Sequence, residues 1–168
     1  MNPIVSLFSG IGGLELGLEA AGFGPVKVQA ERSAFCRQVL AKHWPESKRF
    51  DDVQKVKGSE LPQDCMIAAG FPCQDASLLN AYGEGIYGKK TGQFGEILRI
   101  LDEAMSSGIR IRWLIMENVS AILARGMGRV LAELHARGFD VQWDCVPASA
   151  VGAPHIRDRW FGVAYPAG

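Results

Sequence analysis

Short, mostly apolar runs alternate with stretches of helical periodicity along this chain, and that alternation leaves few folds open. Ile4–Phe8, Val26–Ala30, Met66–Gly70 and Trp113–Met116 each read as a buried strand. Between them, Leu14, Leu18 and Ala21 recur at helical spacing before Gly22. Phe35, Val39, Leu40 and His43 share one helical face before Pro45. Phe94, Ile97, Leu98, Leu101 and Met105 form the strongest amphipathic stripe. Val119, Ile122 and Leu123 open a helix that Gly126 and Gly128 interrupt. Val130, Leu131 and Leu134 resume it, and Gly138 ends it. Then the rhythm changes. Phe139–Val146 and Trp160–Ala164 are strand-like with no helix of ordinary length between them. The first of these alternates, as an edge or antiparallel strand does. The pattern predicts an α/β fold with a mostly parallel sheet, helices on both faces and an antiparallel C-terminal pair at one edge.

At 168 residues the chain has the length of one domain and can build a core without staples. Eighteen basic and eighteen acidic residues cancel, so charge alone points to no nucleic-acid partner. Cys36, Cys65, Cys73 and Cys145 form no Cys-x-x-Cys pair and no zinc set, and reduced thiols are expected. No signal peptide and no run of about 20 apolar residues is seen, which predicts a cytoplasmic protein. Asn80–Gly92 is the longest stretch without periodicity, and such loops are usually functional or mobile.

The chemistry-bearing residues cluster where strands end. The first strand runs into Phe8-Ser9-Gly10-Ile11-Gly12-Gly13, a glycine turn that lets backbone N–H groups approach a ligand. Glu31 follows the second strand, where a carboxylate accepts hydrogen bonds from ribose hydroxyls. A tight turn with a surface glutamate accounts for these residues equally well. The glycines also fall short of a full dinucleotide fingerprint, so nicotinamide and S-adenosylmethionine both remain open here. Asp52, after Phe50-Asp51, is a further contact for a nucleoside or a solvated acid. The third strand ends in Gly70-Phe71-Pro72-Cys73-Gln74, which holds Cys73 on a stiff turn as a nucleophile or as a buried thiol. The fourth ends in Glu117-Asn118-Val119. A buried glutamate there with a raised pKa would protonate or hydrogen-bond a ring nitrogen, while Asn118 alone would serve as a helix cap. Arg157 and Arg159 alternate, so on an extended segment they point the same way, toward an anion or a carbonyl or back to Asp158.

The order of these motifs, from Leu7 to Ala164, resembles the DNA cytosine-5 methyltransferases. The resemblance implies a Rossmann-like S-adenosylmethionine-dependent methyltransferase fold. It makes Cys73 the nucleophile, Glu117 the grip on the base, and Arg157 and Arg159 the arginine pair that orders the site. Phe8 through Gly13, Glu31, Arg32, Asp52, Val53, Gly70 and Pro72 would border S-adenosylmethionine, and S-adenosylhomocysteine would be the product. Gln74, Ser77, Asn118 and Val119 would touch a cytosine flipped out of DNA. Gly85-Ile86-Tyr87-Gly88 through Phe94 resembles the family's mobile loop and the start of the helix after it. His155, Ala76, Lys90 and Ser6 depart from the usual glutamine, bulky apolar residue, arginine and aspartate. Family members continue past the arginine-pair strand with a target-recognition region and a closing helix. The expectation is therefore a single catalytic domain over 1–168, with DNA recognition supplied by a partner chain if the enzyme is split. No metal is implied.

Overall fold

A computed structural model describes residues 2–72 and 92–168, the side chain of Arg125 excepted. Seven strands form one sheet: β1 (Ile4–Leu7), β2 (Val26–Ala30), β3 (Lys48–Phe50), β4 (Cys65–Gly70), β5 (Ile111–Val119), β6 (Phe139–Pro147) and β7 (Asp158–Pro166). Their order is β3-β2-β1-β4-β5-β7-β6. The first five are parallel, β7 runs antiparallel to β5, and β6 lies antiparallel to β7 at the edge. The mostly parallel sheet and its antiparallel end therefore stand as expected.

The pleat divides the apolar residues between two faces. Val5 and Leu7 of β1 and Cys65, Ile67 and Ala69 of β4 join a core with Ile97, Ile100, Leu101 and Ala104 of α3 (Gln93–Ser106). Val130 and Leu134 of α5 (Met127–His135) extend it. On the other face, Ile4, Met66 and Ala68 meet Leu14 and Leu18 of α1 (Gly13–Ala20) and Leu40 of α2 (Ala34–His43). Helices thus cover both faces. Among the described residues no helix is long and apolar enough to cross a membrane.

Four details differ from the sequence reading. β3 was not foreseen, because Lys48-Arg49-Phe50 offers no apolar run and exists as a strand only through its pairing with β2. Val119 does not open a helix, since β7 pairs with β5 through Val119↔Arg159 and holds it extended. A four-residue α4 (Ile122–Arg125) follows, and the break before α5 falls at Gly126. Phe35 is 69% exposed, because α2 packs through Leu40 rather than through the whole predicted face.

Candidate active site

The strand order reverses between β1 and β4, and ligands of open parallel sheets bind beyond the carboxyl ends at such a point. A cleft of about 470 Å³ opens there. Each of the first four strands contributes to its wall. Phe8 follows β1, Ala30-Glu31-Arg32 closes β2, Asp52-Val53-Gln54 follows β3, and Gly70 and Pro72 finish β4. Gln93, the first residue of α3, completes the lining.

The glycine turn is held by hydrogen bonds on several sides. Phe8 adopts φ 60, a left-handed conformation that costs a bulky residue roughly 1–2 kcal/mol and marks a site the surroundings enforce. Ser9 N–H donates to the Ala30 carbonyl at 3.1 Å, and Gly12 N–H donates to the Ser9 carbonyl at 2.9 Å. Glu31 accepts from Gly10 N–H at 2.8 Å through Oε2 and from Ser33 N–H at 2.7 Å through Oε1. Each oxygen keeps a further lone pair, so Glu31 can shape the turn and still accept from a ligand. Asp52 caps the 3-10 turn Val53–Lys55 by accepting from Gln54 N–H at 3.0 Å. Arg99 of α3 braces that turn by donating to the carbonyls of Val53 (3.3 Å) and Val56 (3.0 Å). Its guanidinium is in turn ion-paired to Glu96 and Glu103.

At the neighbouring strand ends lies a second group. Asn118 is buried, and its Nδ2 donates to the Phe71 carbonyl at 3.1 Å. It is no helix cap, and it pins the backbone one residue before Pro72. Phe71 also packs its ring 5.6 Å from that of Phe94. Glu117 lies beside Gly70 in the register, and a Cβ on Gly70 would stand 3.3 Å from Glu117 Oε2. Arg159 Nε is 2.9 Å from Glu117 Oε1, a partly buried ion pair across β5 and β7. Arg157 does not share a strand with Arg159. It sits before β7 at φ 26 with its side chain exposed, because the strand begins only at Asp158.

The sequence-predicted residues Phe8, Glu31, Arg32, Asp52, Val53, Gly70 and Pro72 are brought together around the cleft. Ser9 and Gly12 lie behind the turn, Gly10 and Gly13 are part of its frame, and Ile11 is exposed. Val119 sits at the β5 end opposite Arg159. Cys73, Gln74, Ser77, Ala76, Lys90 and the 80–91 stretch lie outside the described residues. Ala30, Gln54 and Gln93 were missed, although each flanks a motif residue that was found. The cleft suits a nucleoside cofactor: two carboxylates, Glu31 and Asp52, offer acceptors for hydroxyls or an amine, and Phe8 and Val53 supply apolar wall.

Comparisons with known proteins show the family and the fold. The family model of C-5 cytosine-specific DNA methylase matches residues 3–167. The Type II methyltransferase M2.BsuMI of Bacillus subtilis is 34% identical over 160 residues, covering 93% of this chain and 40% of that protein. The Type II methyltransferase M.CviJI of Paramecium bursaria Chlorella virus IL3A is 30% identical, covering 95% and 42%. The chain thus spans about two fifths of the length of these relatives. Among solved structures, the putative DNA modification methyltransferase of an E. coli prophage superposes with TM-score 0.73 at 25% identity over 99% of this chain and 47% of the other. The DNMT2 mutant of Spodoptera frugiperda superposes with TM-score 0.76 at 21% identity, over 99% of this chain and 50% of that one, and shows the shared fold. The chain belongs to the C-5 cytosine-specific DNA methylase family.

Proposed function

We propose that this chain is the catalytic core of a DNA cytosine-5 methyltransferase that uses S-adenosylmethionine. The observation that carries the reading is the adjacency of two sites at one sheet edge. The cleft walled by Glu31 and Asp52 abuts Gly70 and Pro72, and across Gly70 stands the Glu117–Arg159 pair. Glu31 would accept from the ribose hydroxyls and Asp52 from the adenine amine. The cofactor, when bound, supplies an electrophilic methyl group to C5 of the base.

The chain's own residues do the rest. Cys73 follows Pro72, and its thiolate adds to C6 of a flipped cytosine, forming a C–S bond and shifting electrons toward N3 and C5. Glu117 hydrogen-bonds or protonates N3 as that charge develops, and Arg159 orients the carboxyl group. Once C5 carries the methyl group, its proton leaves to a base, the C–S bond breaks, and Cys73 departs as thiolate. Asn118 on the neighbouring strand keeps Phe71 fixed, two residues before Cys73 in the sequence. Arg157, exposed beside the site, would meet a DNA phosphate. Gln74, Ser77 and Val119 would line the base.

A second reading keeps the cofactor site and moves DNA recognition to another chain, and the balanced charge, 18 basic against 18 acidic residues, favours it. Methyl transfer from labelled S-adenosylmethionine to mixed-sequence DNA tests both. Incorporation that Cys73→Ala abolishes, with a covalent adduct on 5-fluorocytosine DNA, is the expected result. Incorporation only when a separate recognition chain is added selects the second reading. Tight nicotinamide dinucleotide binding without S-adenosylhomocysteine binding would sink both.

A further inference from the structure

Glu15 is the side chain least reconciled with its surroundings. It sits in the first turn of α1 and is 0% exposed. The sheet face that α1 covers with Leu14 and Leu18 is otherwise apolar, with Ile4, Leu40, Met66 and Ala68 in its core. One row of the sheet breaks that pattern. Ser6 of β1 lies beside Gln29 of β2, and Gln29 beside Arg49 of β3. Arg49 Nη1 donates to Gln29 Oε1 at 3.3 Å. The hydroxyls of Ser6 and Ser9 and the Gln29 side chain face the Glu15 carboxyl group. Yet neither Glu15 oxygen, nor Gln29 Nε2, has a hydrogen bond of good geometry.

These orphans complement one another. Ser9 Oγ donates to Ser6 Oγ at 2.8 Å, so the Ser6 hydroxyl retains its proton to donate. Gln29 Nε2 carries two more donors, and a carboxyl group accepts several hydrogen bonds. These groups lie close enough to interact, and unpaired buried groups are costly enough to favour their pairing. Burial also pushes the Glu15 carboxyl above the ordinary carboxylate range, which lets it donate as well as accept. The cluster touches the glycine turn at Ser9, whose N–H and carbonyl both hold that turn.

We propose that Glu15 is a positioning residue of the glycine turn: its carboxyl group holds the Ser6–Ser9 hydroxyl pair from beneath and so fixes the backbone of residues 9–13. Glu31 grips the same turn from the cleft side through Gly10 N–H. The turn is thus clamped between two carboxyl groups, one in the core and one at the site. The consequence for cofactor affinity rests on the function proposed above, whereas the clamp itself does not.

Amide hydrogen exchange on the full chain without cofactor tests the clamp. Glu15→Leu is expected to raise exchange at Ser9, Gly10 and Gly12 about tenfold, with Val5 and Ile67 in the core unchanged. Glu15→Gln, which keeps donors and acceptors, is expected to restore most of the protection. Calorimetric titration with S-adenosylhomocysteine then shows Glu15→Leu weaker by about tenfold although its Tm is equal or higher. If Glu15→Leu fails to fold, Ser9→Ala removes the same link and must loosen Gly10 and Gly12 alike. Unchanged exchange at the turn in the folded variant overturns the proposal. Loosened exchange with no S-adenosylhomocysteine binding even in the parent chain supports the clamp and overturns the cofactor reading.

Discussion

Gly12 is the point where the glycine turn and the core compete for space, and Gly12→Ala puts a magnitude on that competition. Gly12 caps α1 at φ 94 and ψ 20, where a residue with a Cβ is strained by roughly 1–2 kcal/mol. The added Cβ would also lie 2.3 and 2.5 Å from two ring carbons of Trp44 and 3.2 Å from Leu40 Cδ2. Trp44 has little freedom to retreat, since it is 8% exposed and its Nε1 donates to Glu19 Oε2 at 2.9 Å. Overpacking of this kind costs about 1–3 kcal/mol. The sum is about 2–5 kcal/mol. Gly10 supplies the internal control. It has φ 56, yet its Cβ would meet nothing within 4 Å, so Gly10→Ala carries the strain of about 1–2 kcal/mol without the clash. Urea unfolding of the parent and both variants reads the difference directly. The expected order is parent, then Gly10→Ala, then Gly12→Ala, with the two variants separated by about 1–3 kcal/mol. Equal losses for the two would refute the argument, because they would mean that Trp44 yields freely and does not wall the turn.

Three further outcomes are expected. Asn118→Ala leaves the Phe71 carbonyl buried without its 3.1 Å donor, so about 2 kcal/mol and roughly 4–8 °C of Tm should be lost in thermal unfolding. Asn118→Asp, which cannot donate, should lose at least as much, and an unchanged Tm in either would remove Asn118 from its place as the pin. Burial raises the Glu15 pKa above its ordinary 4.5, so the folded state binds the extra proton. Stability should therefore fall as pH rises from that ordinary value to the raised one. Glu15→Gln should flatten that part of the curve, and an identical slope in the variant would place the titration elsewhere. Cys65 is fully buried and its thiol is pushed up to about 12, so only about one molecule in ten thousand is thiolate at pH 8. Mass spectrometry after alkylation should find partly exposed Cys36 and Cys145 modified well before Cys65, and early labelling of Cys65 would contradict its burial in β4 under α3.

What could be read from the residues follows from what local pattern encodes. β1 is buried at all four positions and β4 at five of six, so each appears in the sequence as an apolar run. β3 appears nowhere in it, because Lys48 and Arg49 carry no apolar signal and the strand is created by β2 lending it hydrogen bonds. Yet β3 is what delivers Asp52 to the cleft beside Glu31. The glycine turn was legible, but the reason Gly12 must be glycine lies in Trp44, 32 residues away. The alternation of Arg157 and Arg159 suggested a shared side on an extended segment, and that inference holds only within a strand. Arg157 lies outside β7.

The two halves of the proposed site are supported differently, and this locates the weaker half. The cleft wall is tied by short backbone bonds between parallel neighbours, such as Glu31 N–H to the Phe50 carbonyl at 3.0 Å. Glu117 instead owes its partner, Arg159, to an antiparallel strand and a residue 42 positions later. Arg159 sits opposite Val119 and reaches Glu117 diagonally, two residues along the same face. A slip of one residue in β7 would turn Arg159 to the other face and leave the Glu117 carboxyl group without it. What prevents that slip is the residue next to Arg159. Trp160 is fully buried opposite Asn118, Ala164 is fully buried opposite Leu114, and Gly162 leaves room for the indole, since a Cβ there would lie 2.4 Å from the Trp160 ring. Shifted by one, Trp160 would be expelled to the opposite face, forfeiting a buried aromatic worth several kcal/mol. The Glu117 carboxyl group is therefore aimed by a core tryptophan, and any side chain at position 162 that displaces Trp160 acts on Glu117 through Arg159.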